Sequence, residues 1–537
     1  MVFELIAEFT KPWLTFGAQC YSAWVRRRLQ TTRYAGRHQE RILRTLLKEF
    51  AQAGRYRGQG ITPRMPLQKF KSKVPVSFHK DLIPWVDRMI LGETDLLWPG
   101  SCDIFVQSAG TTTGSPRTIP VTFAMEDHFV RATRTAVLHA TARGDSVDAI
   151  RGKILLVGGN TLHPPASRPT LDAPDGPIVA DMVSLAMILR PPWAARYFIE
   201  PSAKISLLTD WPQMVERIVR RTHDRDITAL AGNLQWLTEF ARQTLAIVNQ
   251  RKVRFRTLRD LWPDLASVIY FGISPEVHLA ELQRLVGVDV QTHQVYAAAE
   301  GVYAAQGMLN TRSMQLIYDA GIYFEFIPLD TFDRLQQAQM GEHALSLSEI
   351  EPNRDYVMLV STPAGLLRQV VGDIVRFSCV RPPMLKPVGQ LGMRLNQWGE
   401  NILDHDLTAA ISEICRSHQW ALRHFHVAPL TIEADLGRET GRHEWWIELQ
   451  SGTVKTPTGP PIAAEIDQHL CQIHPAYRQA RATTNLEAPV VRLVMPGAFE
   501  HWIKQQRRWG GPHKLPACRS DRRYADELAK IARFSAD

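Results

Sequence analysis

The chain is poor in the features that mark several large protein classes. Its six cysteines (Cys20, Cys102, Cys379, Cys415, Cys471 and Cys518) lie far apart among 537 residues. Neither a zinc-binding CxxC pair nor a disulfide framework can be read from them, and reduced thiols are expected. No apolar run approaches the roughly 18–20 residues that cross a bilayer, so no membrane partner is expected. The stretch from Met1 to Phe9 carries Glu4 and Glu8 inside its apolar residues and lacks a signal-peptide pattern. Internal repeats and low-complexity tracts are also missing. These absences point to a soluble cytoplasmic protein.

Acidic residues are in deficit. Against 63 Lys and Arg stand 54 Asp and Glu, a formal charge of +9. The basic residues are scattered, with short clusters at Arg26–Arg28 and between Arg519 and Arg523. No aromatic residues interleave with them to form a stacking platform, so a nucleic-acid partner is not expected. The surplus suits an enzyme with anionic substrates equally well.

With 45% apolar residues the chain can build an ample core. Its length corresponds to about three or four domain-sized units, or to one large domain and a small one. Residues 36–53 place Ile42, Leu43, Leu46, Leu47 and Phe50 at helical spacing. Lys153–Val157 and Ser267–Gly272 read as buried strands running into glycine turns. Helical patterns at Trp211–Thr222 and Leu234–Val248 alternate with them, which predicts an α/β core. Three prolines in Arg381–Pro387 look like a linker. Beyond it, a helix (Leu407–Trp420), strands at His424–Val427 and Glu444–Leu449, a helix around Asp467 and an apolar run at Val490–Val494 suggest a compact α+β unit. Trp211, Trp236, Trp445 and Trp446 read as core residues.

Four segments carry candidate chemistry. Ser108-Ala-Gly-Thr-Thr-Thr-Gly-Ser-Pro-Arg-Thr-Ile-Pro120 follows the apolar Ile104–Val106. Small and hydroxyl residues around two glycines can expose backbone N–H groups to a phosphate, or form an ordinary surface loop. Tyr296-Ala-Ala-Ala-Glu-Gly301 puts a carboxylate in a small-residue turn, free to hold Mg²⁺ or simply to face water. In Gly372-Asp373-Ile-Val-Arg376, with Arg368 upstream, an Asp could accept from ribose hydroxyls and an Arg could neutralise an anion; a turn with a solvated ion pair is the plain alternative. Trp509-Gly-Gly-Pro-His-Lys514-Leu-Pro516 sets a lysine on a loop that could enter a cleft or stay in solvent.

The order of these segments is distinctive. The sequence resembles the acyl acid–amido synthetases of the auxin-responsive Gretchen Hagen type and their bacterial relatives, within the acyl-adenylate-forming superfamily. Residues 108–120 resemble the family's S-S-G-T-T-x-G-x-x-K-x-I-P phosphate loop, and Tyr296–Gly301 its Y-x-S-S-E-G motif. Tyr323-Phe-Glu-Phe-Ile-Pro328 matches a family motif verbatim. Gly365–Arg376 is similar to G-L-Y-R-Y-x-x-G-D-V-V-R, Leu395–Asn401 to L-N-x-x-G-E-K, and Gly510–Pro516 to G-G-x-x-K-x-P. Phe70–Pro75 and Arg88–Glu93 also look like the family, so the resemblance covers roughly residues 36–530.

The resemblance implies a large N-terminal adenylate-forming domain (1–386) with sheets flanked by helices, a hinge (387–400) and a small mobile α+β domain (401–537). It implies ATP and Mg²⁺ as cofactors, and a carboxylic acid and an amino acid or other amine as substrates. The acid is adenylated with loss of pyrophosphate, and the amine then forms an amide and releases AMP. Ser108, Gly110, Thr111, Thr112, Gly114 and Arg117 are implied to cradle phosphates, and Glu300 to hold Mg²⁺. Tyr296 is implied near adenine, Ala299 near the nucleotide and Asp373 at the ribose. Lys514 is implied to stabilise the adenylation transition state as the small domain rotates. Arg368, Arg376, Tyr323 and Phe326 are implied phosphate or acyl contacts.

Several positions depart from the family pattern. Ala109 and Ala299 replace serines, Arg117 a lysine, and Leu367 and Gln369 tyrosines; Gln390 stands for an arginine and Asn401 for a lysine. Glu300, Asp373 and Lys514 are retained. Two other readings share the same motifs: an adenylating ligase that passes its acyl group to a thiol, and a degenerate nucleotide-binding partner.

Overall fold

The computed structural model describes most of residues 35–531. Outside the described residues lie 109–116, 144–150, 159–176, 189–197, 207, 209, 251–253, 273–275, 308–312, 434–438, 451–458, 484–485, 506–515 and 532–537. Of residues 1–34 only 16, 17, 19, 20, 23, 24 and 27 are described. Gly110, Thr111, Thr112, Gly114 and Lys514 therefore fall outside. Among the described residues no helix is long and apolar enough to cross a membrane.

The chain divides into two compact units, one built mainly from residues up to Pro387 and one mainly from Val388 onward. The first is organised on a 12-stranded sheet. One half is parallel: Ile199–Glu200, Lys153–Val157, Ile227–Asn233, Ser267–Phe271 and Gln291–Ala298 pair in that order. Helices on the crossovers show why the chain folds this way. Trp211–Thr222 buries Trp211, Met214, Val215, Ile218, Val219 and Thr222, one stripe at helical spacing, and Asp210 caps it by accepting from the Gln213 N–H at 2.8 Å. Leu234–Val248 is capped in the same way by Asn233.

The other half is largely antiparallel and begins where Gln291–Ala298 turns back into Gly301–Ala305. It continues through Met314–Leu316, Pro383–Gln390, Leu366–Val380, Asp355–Thr362 and Tyr323–Pro328 to Leu345–Ser346. A separate three-stranded sheet joins Ile104–Gln107 to Thr118–Pro120 (antiparallel) and Ile178–Ala180 (parallel). The fold is thus mixed α/β, with the parallel crossovers confined to one half of the large sheet.

Two local expectations are corrected. Arg381–Pro387 is not a linker: Pro383–Gln390 is a strand that pairs Leu385 with Met314 and Met384 with Gln315. Pro383 opens the strand, where a missing N–H is tolerated. The C-terminal helix spans Asp404–Ser417 rather than 407–420. Asp406 accepts from the Leu403 N–H at 3.2 Å at its start. At its end Gln419 takes a left-handed φ of 57° and the Trp420 N–H bonds back to Cys415 O at 2.8 Å.

The second unit holds a three-stranded sheet of Leu422–Glu433, Glu439–Leu449 and Val490–Val494. Helices Asp404–Ser417 and Gly459–Ile473 contribute Leu407, Ile411, Ile414, Ile462, Ile466 and Leu470 to its core, around Trp445. Trp446 and, in the first unit, Trp211 are likewise buried. Asn401 has a left-handed φ of 43°, which asparagine accepts more readily than the family's lysine.

Candidate active site

Three backbone devices bring carboxylates and a guanidinium together in the first unit. The first is a tight hairpin. Ala298 pairs with Gly301 and Ala297 with Val302, so only Ala299 and Glu300 form the loop. Gly301 takes φ 155°, and a Cβ there would lie 2.5 Å from Ile322 Cδ1 and 3.1 Å from His128 Nε2. Glycine at this position lets the turn close against the core, and Glu300 is buried at its tip.

The second device is a bulge. Leu359 pairs with Val370 and Val357 with Ile374, so Val371, Gly372 and Asp373 together face Met358 alone. Gly372 supplies the left-handed φ of 96°. The bulge turns Val371 O toward Arg117, which donates to it from Nη1 at 2.7 Å. Asp373 is buried and accepts from the Tyr296 hydroxyl at 2.8 Å.

The third device is the neck of the glycine-rich segment. Ser108 N donates to Arg117 O at 2.9 Å, and Arg117 N donates to Ser108 Oγ at 3.1 Å. This pinch holds Ser108 and Arg117 side by side and fixes the start of the Arg117 side chain. Its Nη1 lies 3.4 Å from Glu300 Oε1.

Electrostatically the site is strained toward more positive charge. Burial pushes the Glu300 carboxyl above its usual range, Arg117 pulls it back, and Asp373 raises it further. The Arg117 contact at 3.4 Å and a bond from its own backbone N–H leave the burial of this carboxylate incompletely compensated. Burial, then the nearby Asp373, also drive the Tyr296 phenol well above its ordinary range, so it stays protonated as a donor. Mg²⁺ characteristically takes one or two carboxylates and completes its shell with water and phosphate oxygens. Glu300 fits that donor set. Among the described residues no group of three or more His, Cys, Asp or Glu forms an all-protein metal cage.

The sequence matches the GH3 family N-terminal domain over residues 25–158, the central domain over 315–389 and the C-terminal domain over 405–523. The chain belongs to the GH3 family. It is similar to a probable indole-3-acetic acid-amido synthetase, GH3.4, of Oryza sativa subsp. japonica, with 22% identity over 567 residues covering 91% of this chain and 87% of that protein. A jasmonoyl–L-amino acid synthetase, GH3.5, of the same organism is 21% identical, covering 89% of this chain and 91% of its own length. The solved structure of a GH3.15 acyl acid amido synthetase is 17% identical, covers 97% of this chain and 98% of its own, and superposes with a TM-score of 0.70, which shows a shared fold.

Within this GH3 frame, Ser108, Arg117, Tyr296, Glu300 and Asp373 are brought together, and four other candidates are not. Arg368 is fully buried. Its Nε and Nη2 donate to both oxygens of Glu325 at 3.0 and 2.8 Å, and its remaining donors go to Val74 O (2.6 Å), Lys71 O (3.0 Å) and Gly341 O (2.6 Å). No donor remains for a phosphate, so the expected ligand contact is corrected to a structural one. Arg376 forms a two-pronged pair with Asp355 at 2.6 and 2.9 Å. Tyr323 and Phe326 alternate onto opposite faces of their strand and are buried in different clusters, Tyr323 against Phe70 and Phe326 against Tyr356 and Phe377. Both are buried core residues here.

Tyr296 is also corrected in part. Its ring packs edge-to-face on Tyr303 with centroids 5.1 Å apart, so it serves Asp373 and is not an open platform for adenine. Ala299 lies in the apolar cluster with Phe105, Val106 and Val302, where a methyl group is at home. Leu367 is likewise core, which suits its replacement of a tyrosine.

Two histidines beside the site were missed. Burial and then the Arg117 charge lower His79 to about 4, keeping it neutral. His128, fully buried on helix Phe123–Arg143, touches the Glu300 hairpin. A lone histidine inside a long helix carries no motif, so nothing in the sequence set His128 apart.

Proposed function

We propose that this protein is an ATP-dependent ligase that adenylates a carboxylic acid and joins the acyl group to an amino acid as an amide. The observation that carries this reading is the meeting of Arg117, Glu300 and Asp373 at the neck of the glycine-rich segment in a GH3 chain. In the first half-reaction a carboxylate oxygen attacks the α-phosphorus, and pyrophosphate leaves. Two anions must approach, so the work is charge neutralisation and positioning. Arg117 supplies fixed positive charge beside the phosphate loop. Glu300 would hold Mg²⁺, which would supply charge neutralisation at the phosphate oxygens. Asp373, locked by Tyr296, accepts from the ribose hydroxyls. Ser108, Gly110, Thr111, Thr112 and Gly114 offer donors to the phosphates, and Lys514 neutralises the transition state. In the second half-reaction the amine attacks the acyl carbon, AMP departs and a proton is released.

One relative is named for amide formation with indole-3-acetic acid and another for joining a jasmonoyl group to an L-amino acid, which supports a carboxylic acid and an amine as the substrates here. The matching test is an acid-dependent pyrophosphate-release screen over aromatic, indole and fatty carboxylic acids, followed by mass analysis with a panel of amino acids. An acid-dependent signal and an amide product are expected. Thioester formation with coenzyme A but no amide would overturn the acceptor. No pyrophosphate release with any acid would overturn catalysis.

A further inference from the structure

His128 joins three elements through one ring. It sits on helix Phe123–Arg143 and is wholly buried. Its Nδ1 lies 2.8 Å from Ala320 O, and its Nε2 lies 3.1 Å from Val302 N. A carbonyl can only accept and a backbone N–H can only donate. The two contacts together require the neutral ring with its proton on Nδ1 and the lone pair of Nε2 facing Val302.

That bond acts on the site. Val302 is the second residue after Glu300, in the strand that leaves the two-residue turn, and it is itself buried. Its N–H goes to His128. Without that acceptor the group would be a buried donor with no partner, a state that chains avoid by moving. The other end of the ring is anchored on a second held segment. Ala320 lies between Tyr318 and Ile322, whose carbonyls accept from Gln39 Nε2 at 2.6 and 2.9 Å. Gly301 allows the close approach, since a Cβ there would stand 3.1 Å from Nε2. The hairpin tip is therefore tied by His128 to the segment around Ala320 that Gln39 holds, while Arg117 reaches the Glu300 carboxylate itself.

We infer that His128 is a positioning residue for Glu300, holding the tip of the 299–302 hairpin through the Val302 N–H so that the carboxylate meets the metal–nucleotide complex in a fixed place. This rests on the assignment of Glu300 to Mg²⁺ given above. An error of about 1 Å in such a group can cost about a hundredfold in the reaction it serves.

Two conservative variants separate the two ends of the ring. In His128→Gln the side-chain oxygen can reach the place of Nε2 and accept from Val302. In His128→Asn the side-chain nitrogen takes the place of Nδ1 and can donate to Ala320 O, but nothing reaches Val302. Binding of ATP to the full chain, measured by calorimetry with and without Mg²⁺, reads the effect without any acid substrate. His128→Asn is expected to lose at least about tenfold of the Mg²⁺-dependent gain in ATP affinity, and His128→Gln to stay within about threefold of wild type. Equal behaviour of the two variants, or wild-type binding by His128→Asn, overturns the inference. A wild-type chain that binds ATP with no Mg²⁺ dependence overturns the assignment of Glu300 and the inference with it. Hydrogen exchange in the wild-type chain is a second test that needs no variant. The Val302 amide is expected to be strongly protected, and rapid exchange overturns the bond.

Discussion

Among the described residues of the first unit, two glutamate–arginine pairs with buried glutamates differ in almost every respect. Glu325 and Arg368 are 1% and 0% exposed and meet through two bonds, and the arginine spends its other donors on three backbone carbonyls. Glu300 and Arg117 meet once at 3.4 Å, with the arginine 15% exposed and divided between the carboxylate and Val371 O. A pair with no bonding capacity left can only hold the fold. A pair that is buried yet under-coordinated pays for its desolvation without full return, and its spare capacity suits a ligand that brings charge of its own. Motif matching alone treats Arg368 and Arg117 alike; the count of their bonds tells them apart.

The largest test of this contrast is Arg368→Ala. It leaves Glu325 charged and buried and three carbonyls short of a donor, and is expected to cost about 3–5 kcal/mol in denaturant unfolding. A loss under about 1 kcal/mol would mean the pair is not the clamp it resembles. Glu300→Gln should do the opposite. Because burial raises the Glu300 pKa, the charged form is penalised at pH 7, so the amide should unfold no more easily than wild type. Adenylation, by contrast, should drop about 10²–10³-fold, the scale of one lost electrostatic contact in a transition state. A variant that is both unstable and active would erase the distinction.

The second unit offers a partly satisfied buried group of its own. His426 Nδ1 lies 2.9 Å from Pro516 O, while Nε2 has no hydrogen-bond partner among the described residues. Burial lowers its pKa to about 4 from 6.5. The unfolded chain therefore binds a proton first, and stability should fall as pH drops from about 6.5 to about 4, by about 2–3 kcal/mol from this residue. Thermal unfolding across that range should show a shallower slope for His426→Asn, which can keep the bond to Pro516; equal slopes would remove His426 as the cause. Smaller still is Tyr296→Phe, which removes one donor from Asp373. A rise of about five- to tenfold in the ATP KM is expected, in line with about 1–1.4 kcal/mol for one bond to a carboxylate, with kcat little changed. An unchanged KM would separate Tyr296 from nucleotide binding.

Much of this protein is legible in the chain itself. The amphipathic spacing of Trp211–Thr222 and Leu234–Val248 and the apolar run Val490–Val494 coincide with the observed elements, because each pattern is local and each face must be buried. Family membership is legible too, since motif order survives at 22% identity. Glu300 and Asp373 stand out in sequence because a turn and a bulge require small residues and glycine beside them.

What sequence alone could not decide depends on partners far along the chain. Arg368 and Arg376 look like ligand contacts until Glu325 and Asp355 are seen against them, 43 and 21 residues away. His128 reaches Val302 across 174 residues, and no local pattern announces that bond. The prolines of Arg381–Pro387 signal a linker, and only the placement of Pro383–Gln390 between Leu366–Val380 and Met314–Leu316 makes the segment part of a sheet. Residue order determined the family, the helices and strands with strong periodicity, and the turns that carry acids. Tertiary structure decided which charged side chains are saturated and which keep capacity for a ligand, because saturation is a property of neighbours in space.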